Sequence, residues 1–185
     1  MSKGLQLSLF TIIFLSGIGV GYFLTPEYQV QNTQMKKTHD LGQADQWVDL
    51  RYSDNMIAHH LAAIYLLDQA LAKTDRQEIK DLANTVIAAD RAGIESLYAN
   101  KKAWYGDARQ VTQFNKINLG DKDEKFDLRL LNALLIHHKE AIEAAKEIST
   151  KSVRSEVLNL ADVVNQSLTE NSKQLELWRK QWYGI

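Results

Sequence analysis

The sequence predicts an all-α protein, a four-helix bundle built from two repeated helical hairpins and preceded by a single N-terminal transmembrane helix. The first observation is composition, because proline occurs once and the helix-favouring residues Leu, Ala, Lys and Glu are plentiful. The second is an internal repeat that relates one half of the chain to the other. The third is an uncharged apolar run near the N-terminus.

The internal repeat is visible as identities between residues that are 78 positions apart, with no gap needed to align them. Each copy holds a His-His pair, so four of the five histidines lie in the repeat. The aligned segments are His59-His60 with His137-His138, Asp49-Leu50-Arg51 with Asp127-Leu128-Arg129, Arg76 with Arg154, Leu82-Ala83 with Leu160-Ala161, and Trp104-Tyr105-Gly106 with Trp182-Tyr183-Gly184. A repeat of this length is a supersecondary unit that buries its apolar face against its copy.

Each copy is predicted to form two antiparallel helices joined by a tight turn. Apolar residues recur at three- and four-residue steps in both halves of each copy, as one face of a helix requires. Thr74 and Gln77 have the spacing of a capping box that would start the second helix of the first copy. Ser152 is the corresponding cap in the second copy.

Two such hairpins make a four-helix bundle, which is predicted to cover residues 47–185. The two repeats occupy residues 47–106 and 125–184. Between them, the segment from Gly106 to Lys125 is rich in Gly, Asp, Asn and Lys. It is long for a connection between helices, so it is predicted to cross the surface of the bundle.

Residues 1–26 are predicted to be a signal anchor that spans the membrane. Leu5 to Leu24 is a mostly apolar run of about 20 residues without a charge, long enough to cross a bilayer as a helix. A cleaved signal peptide is the alternative, but the run ends in bulky and aromatic residues instead of a small-x-small cleavage site. Lys3 places the N-terminus in the cytoplasm and the rest of the chain outside it. Residues 27–46 are polar and are predicted to be a tether.

Composition and motifs exclude several functions. A net charge of −1 gives no reason to expect nucleic acid, which would require a basic stripe. The absence of cysteine excludes a disulfide, a thiolate metal site and a catalytic Cys. The chain has no Glu-x-x-His pair, His-Glu-x-x-His motif, glycine-rich phosphate loop or nucleophile elbow, so it is not expected to be an enzyme.

The paired histidines are the candidate functional residues. Adjacent residues on a helix point about 100° apart, so only one histidine of each pair can face the bundle interior. The apolar seam predicts that His60 and His138 point inward and lie near one another across a pseudo-twofold axis. His59 and His137 would then lie on the flank.

Two further residues join the four histidines in the predicted metal site. Met56 lies one turn before His60, and Asp90 on the next helix falls close to the same level. Imidazole suits copper, zinc, nickel or iron, and a thioether favours copper. Hydrogen-bonded structural histidines, with a methionine that only fills space, are the alternative interpretation.

At these motifs the chain resembles the domain of unknown function 305 family. Its pattern Met-Ile-x-His-His-x-x-Ala-Ile is matched from Met56 to Ile64, and again from Leu134 to Ile142 except that Leu134 replaces the methionine and Leu135 the isoleucine. The resemblance implies a ferritin-like helical bundle that is secreted or anchored in bacteria. Some members bind copper in the periplasm through His and Met. The resemblance implies the following metal residues here: Met56, His59, His60, His137 and His138.

We therefore predict a single-pass protein of the bacterial inner membrane whose bundle faces the periplasm and binds a transition metal, with copper preferred. Its role would be sequestration or handover of the ion. The alternative is an accessory subunit that docks on a larger membrane protein complex through its anchor and an aromatic face formed by Trp178, Trp182 and Tyr183. Otherwise Trp104 and Trp182 are expected to anchor the ends of the core.

Overall fold

The computed structural model describes residues 40–185, and this part of the chain folds into four α-helices. The helices are α1 (Val48–Lys73), α2 (Gln77–Tyr105), α3 (Phe126–Ser149) and α4 (Ser155–Tyr183). No β-strand occurs in the described part of the chain. The predicted all-α four-helix bundle is therefore confirmed.

The predicted signal anchor, residues 1–26, lies outside the described residues, as do residues 27–39 of the predicted tether. From residue 40 onward, no helix combines the length and the apolar character needed to cross a membrane. Residues 40–46, the last part of the predicted tether, lie against the bundle, and Leu41 is fully buried in its core.

The turn within each hairpin is held by a hydroxyl group just before the second helix. Thr74 accepts a hydrogen bond from the backbone N–H of Arg76 at 3.1 Å, and Ser152 accepts one from Arg154 at 3.0 Å. The predicted capping box of Thr74 and Gln77 and the predicted cap at Ser152 do not form, because α2 and α4 begin after Arg76 and Arg154 and the hydroxyls stay outside the helices. Each hydroxyl closes a turn two residues ahead instead of capping a helix.

Helices α1 and α3 run antiparallel, and equivalent ion pairs join their two ends. Arg76, just after α1, lies 3.3 Å from Asp127 at the start of α3. Arg154, after α3, lies 3.3 Å from Asp49 at the start of α1. Because these pairs are related by the 78-residue shift, the two hairpins are arranged around a pseudo-twofold axis between α1 and α3.

The repeated tryptophans lie at the two ends of the bundle and pack there, as expected. The guanidinium of Arg76 lies 4.0 Å from the centre of the Trp182 ring, and that of Arg154 lies 4.2 Å from Trp104. Trp182 also stacks on Trp178 with 5.2 Å between ring centres, and both rings pack against the core. These aromatic side chains therefore contribute to the packing of the bundle itself.

The apolar core is divided into two clusters by the level at which the paired histidines lie. One cluster, toward the start of α3, includes Leu66 and Phe126. The other, toward the start of α1, includes Tyr52 and Ile148. A layer of polar side chains therefore crosses the middle of the bundle, where each polar group needs a partner to offset the cost of its burial.

The crossover between the hairpins follows the outer side of the first hairpin. The backbone N–H of Val111 donates to the Tyr98 hydroxyl at 2.8 Å. Farther along, the Ile117 carbonyl accepts a hydrogen bond from Gln69 at 2.9 Å. These contacts carry the chain over the surface from one end of the bundle to the other.

A buried lysine fastens the start of this crossover. Lys101 on α2 is only 1% exposed. Its ammonium group pairs with Asp54 of α1, lies 3.6 Å from Asp107, and donates to the carbonyl of Arg109 at 3.2 Å. Buried charge of this kind is stable only when it is paired and hydrogen-bonded, as here.

Candidate metal centre

Helices α1 and α3 contact each other, and both carry small buried side chains within about a turn of their paired histidines. Ala62 and Ala63 of α1 are buried, as are Ala133 and Ala141 of α3. The distance between packed helices depends on the side chains at the contact, and alanines allow a close approach. The pseudo-twofold axis passes through this contact.

His59 and His137 meet at this contact, one from each copy of the repeat. Their rings stack with centroids 3.5 Å apart and planes only 6° from parallel. Each side chain is buried, with 8% of the residue surface exposed. The fold therefore brings two imidazole groups together across the axis, deep in the bundle.

Glu140 adds a carboxylate to this pair. It lies one turn after His137 on α3 and is half-buried. One possible ligand atom from each of His59, His137 and Glu140 lies within 4.8 Å of the others. Two imidazole nitrogens and a carboxylate oxygen are a donor set that suits first-row transition metals.

The stacked rings set a geometric condition on metal binding. Ligand atoms lie about 2.0–2.2 Å from a bound zinc ion, so donors to one ion must approach closely. The nitrogen lone pairs of an imidazole lie in the plane of the ring, so those of two parallel rings do not converge on one point. A shared ion therefore requires the two imidazoles to tilt about their χ angles.

The inward-facing pair is the opposite of the one predicted. His60 and His138 do not meet across the axis, because His60 turns toward α2 and His138 toward α4. The prediction was wrong because α1 and α3 each contact two neighbouring helices and so have two buried stripes. The seam chosen from the sequence was the stripe that faces the partner helix of the same hairpin.

His60 is held by Asp90, which was predicted to belong to the same cluster. Its Nδ1–H donates to the carboxylate at a distance of 2.7 Å. The second carboxylate oxygen of Asp90 is buried without a hydrogen-bond partner. A Cβ atom on Gly93 would lie 3.3 Å from Nε2 of His60. The glycine therefore leaves room for an imidazole that the carboxylate orients.

His138 has a hydroxyl partner in place of a carboxylate. The Ser172 hydroxyl donates to the Leu168 carbonyl at 2.7 Å, so its oxygen is left to accept from Nδ1–H of His138 at 3.1 Å. Burial lowers the pKa of His138 to about 4, and the charge of Asp90 opposes this shift only in part. His138 is therefore neutral at pH 7.

The predicted site residues thus separate into four groups. His59 and His137 form the central pair, and His60 with Asp90 forms a separate contact on the α2 side. His138 contacts Ser172 on the α4 side. Met56 is buried with 2% exposure, one turn before His59, in the apolar cluster next to the histidine layer.

Glu140 was missed in the sequence analysis, although a signal for it exists. In di-iron proteins a glutamate lies three residues before a histidine. Here the glutamate follows the histidine, as His137-x-x-Glu140. Either order places the two side chains one turn apart on the same side of a helix.

Comparisons with known proteins agree with this fold. The family model described as domain of unknown function (DUF305) matches residues 49–126. A comparison with the curated protein sequences finds no match.

Several solved structures of CopM resemble the whole bundle. CopM in the Cu(I)-bound form is 26% identical with a TM-score of 0.65, covering 75% of this chain and 99% of that one. The Ag-bound form obtained by soaking is 25% identical, with the same TM-score and coverage. The apo form is 26% identical with a TM-score of 0.64, covering 73% of this chain and 98% of that one. Residues 49–126 are thus similar to the DUF305 family, at the segment that carries the first His-His pair.

Proposed function

We propose that the bundle binds a single copper ion between α1 and α3, through His59, His137 and Glu140. The observation that carries this proposal is the meeting of two buried imidazoles and a carboxylate, with ligand atoms within 4.8 Å of one another. The likeness to the Cu(I)-bound and Ag-bound forms of CopM supports copper over other metals. Imidazole nitrogen is a suitable ligand for copper in either oxidation state.

Sequestration or handover of the ion is the role that this arrangement supports best. The two histidines are buried, whereas Glu140 is half-buried at the edge of the helix pair. An ion held there is shielded by the bundle on one side and reachable from solvent on the other. Three protein donors also leave a coordination position through which a partner's ligand can approach.

The proposed location of the protein in the cell rests on the N-terminal sequence alone. The apolar run from Leu5 to Leu24, preceded by Lys3, is that of a signal anchor. It would hold the protein in the bacterial inner membrane with the bundle in the periplasm. The polar segment before residue 40 would then link the bundle to the anchor.

Copper titration of the full-length chain in detergent tests the metal centre. We expect the wild-type protein to bind one equivalent of Cu(II), or of Ag(I) as a probe for Cu(I). The variant His59→Ala/His137→Ala should lose this binding, because both inward imidazoles are removed.

The repeat supplies a matched control, since each inward histidine has a neighbour of the same type. The variant His60→Ala/His138→Ala removes the same number of imidazoles but leaves the stacked pair intact. It should still bind the ion, with circular dichroism showing that both variants remain helical. Equal and weak uptake by all three proteins would end the proposal. Loss of binding only in the His60/His138 variant would move the site to the other pair.

A further inference from the structure

Helices α2 and α4 together form one side of the bundle, opposite the side formed by α1 and α3. Helix α1 packs against α2 and α3, and α3 packs against α4, whereas α2 and α4 are not closely packed against each other. A cleft separates them, lined by Leu82 and Val86 of α2 and by Gln174 and Trp178 of α4. The residues beside this cleft that point away from α1 and α3 form two parallel stripes, one on each helix.

The stripe on α4 contains large apolar side chains that are exposed to solvent. Leu160, Val163 and Leu177 are 36%, 59% and 46% exposed, and no other described helix leaves a large hydrophobic side chain exposed. Single exposed apolar residues are ordinary, but three on one stripe of one helix indicate a covered surface. The other positions of the stripe are Ser167, Glu170, Gln174 and Gln181. The one charge among these, on Glu170, is paired with a lysine of α4.

The stripe on α2 occupies the equivalent positions of the repeat and consists of small, uncharged side chains. Its exposed residues are Thr85, Ala89, Ala92, Ser96, Ala99 and Ala103. None of them is charged, although 24% of the residues in the chain are charged. Small side chains allow another helix to approach closely. The two stripes, which together we call the α2–α4 face, therefore offer large projecting side chains on one helix and space for them on the other.

The two stripes of one molecule lie side by side and point the same way, so they cannot pack into each other. A second copy, related by a twofold axis parallel to the helices, would place its α4 on α2 of the first copy. Because α2 and α4 are antiparallel and Val86 lies across the cleft from Gln174, Val163 reaches the level of Ser96 and Ala99. The large side chains of each copy would then meet the alanine-rich stripe of the other.

The size of the α2–α4 face is sufficient for a stable dimer. Helices α2 and α4 have 29 residues each. Their common face is therefore about 43 Å long and about 20 Å wide. This area of about 800–900 Å² matches the roughly 800 Å² per partner that specific protein interfaces bury.

We propose that the protein forms a symmetric dimer through the α2–α4 face, with α2 of each copy packed against α4 of the other. The contact is isologous, so each large side chain is buried twice by one set of residues. Glu140 lies about 200° around α3 from His138, which contacts α4. The metal centre therefore faces away from the dimer contact, and no residue of the centre takes part in it.

The oligomeric state of the full-length chain in detergent tests the dimer. Sedimentation over a range of protein concentrations should show a dimer for the wild-type protein. Val163→Glu should weaken the association by about tenfold or more, because it buries an unpaired charge in the contact. Thr169→Glu is the matched control, since Thr169 is also an exposed β-branched residue of α4 but lies about 240° around the helix from Val163. It should dimerise like wild type, and circular dichroism should show that both variants remain helical.

Cross-linking tests which helices meet, because the chain contains no cysteine of its own. Ala99→Cys and Val163→Cys are purified separately, mixed and exposed to a mild oxidant. We expect a disulfide-linked dimer in the mixture and much less of it in either variant alone.

Three results would overturn the proposal. The first is a monomeric wild-type protein, and the second is a dimer that Val163→Glu leaves intact, as one held together by the N-terminal segment would be. The third is cross-linking of Ala99→Cys to itself as efficiently as to Val163→Cys, which would place α2 against α2. None of these results depends on copper binding, so the dimer and the metal centre succeed or fail separately.

Discussion

The imidazole rings of His59 and His137 lie in face-to-face contact, with centroids 3.5 Å apart, although they belong to different copies of the repeat. The contact lies where the apolar core is interrupted, between a cluster around Phe126 and a cluster around Tyr52. A polar layer in this position costs stability unless each group finds a partner. Hydrogen bonds within the layer offset this cost, so they should contribute measurably to the free energy of unfolding.

The contact between His60 and Asp90 should be one of the strongest of these hydrogen bonds. Asp90→Asn keeps the shape of the side chain but removes the charge that accepts from Nδ1–H at 2.7 Å. We expect the free energy of unfolding to fall by about 1–2 kcal/mol, since bonds to a charged group are stronger than neutral ones. Chemical denaturation of the metal-free protein measures the change.

Asp81→Asn is the matched control, because Asp81 lies exposed on the same helix. It should change the free energy of unfolding by no more than about 0.5 kcal/mol. Equal losses in the two variants would show that the His60–Asp90 contact adds no more to the free energy of unfolding than the exposed Asp81 does.

Lys101 should determine how firmly the crossover is held. Lys101→Met retains an apolar stem but leaves Asp107 and the Arg109 carbonyl without their buried cation. We expect a loss of about 1–2 kcal/mol, because a buried, hydrogen-bonded cation is removed while Asp107 keeps its contact with Arg109. Amide hydrogen exchange at Val111, whose N–H donates to Tyr98, should become faster.

The neighbouring residue provides the comparison for this substitution. Lys102 is exposed on the same turn of α2. Lys102→Met should leave both the stability, within about 0.5 kcal/mol, and the exchange rate at Val111 unchanged. If Lys101→Met behaved in the same way, the lysine would not be what fastens the crossover.

The helices and their repeat were accessible from the sequence because both depend on local patterns. Apolar periodicity sets where a helix forms, and the aligned residues from Asp49 to Gly184 show that the pattern occurs twice. The turns were placed correctly, near Thr74 and Ser152. The hydrogen bonds in these turns were predicted incorrectly. The helices start two residues later than predicted, so each hydroxyl accepts from a different N–H.

The rotation of α1 about its own axis could not be predicted from the hydrophobic periodicity. Periodicity shows that α1 has a buried side, but α1 packs against both α2 and α3 and buries two stripes about 100° apart. Exchanging those stripes exchanges His59 for His60. Only the long-range contact with α3 decides between them, and that contact depends on alanines whose sizes carry little signal in a hydropathy pattern.

Metal binding should stabilise the fold through the same pair of histidines. A ligand that binds only the native state adds about 2.7 kcal/mol when the free ligand is at 100 times its dissociation constant. We therefore expect Ag(I) or Cu(II) to raise the melting temperature of the wild-type protein and a chelator to reverse the change. The melting temperature of His59→Ala/His137→Ala should not respond. A rise of the same size in that variant would place the stabilising ion elsewhere.

The buried His138 should make stability depend on pH. Its pKa is lowered to about 4 in the folded protein, from an ordinary value of 6.5. Below pH 6.5 the unfolded chain therefore binds a proton that the folded chain does not, and stability falls as the pH falls toward 4. Between about pH 7.5 and about pH 5 this single group should cost about 2 kcal/mol.

His138→Gln isolates this contribution, because its amide can still donate to Ser172 but does not titrate. Denaturation of the metal-free variant and of the wild-type protein across this pH range gives the difference between their slopes. The variant should lose less stability on acidification, by the amount that His138 contributes. Identical slopes would mean that His138 accepts its proton in the folded bundle as readily as in the unfolded chain. Burial between Asp90 on α2 and Ser172 on α4 would then not keep it neutral.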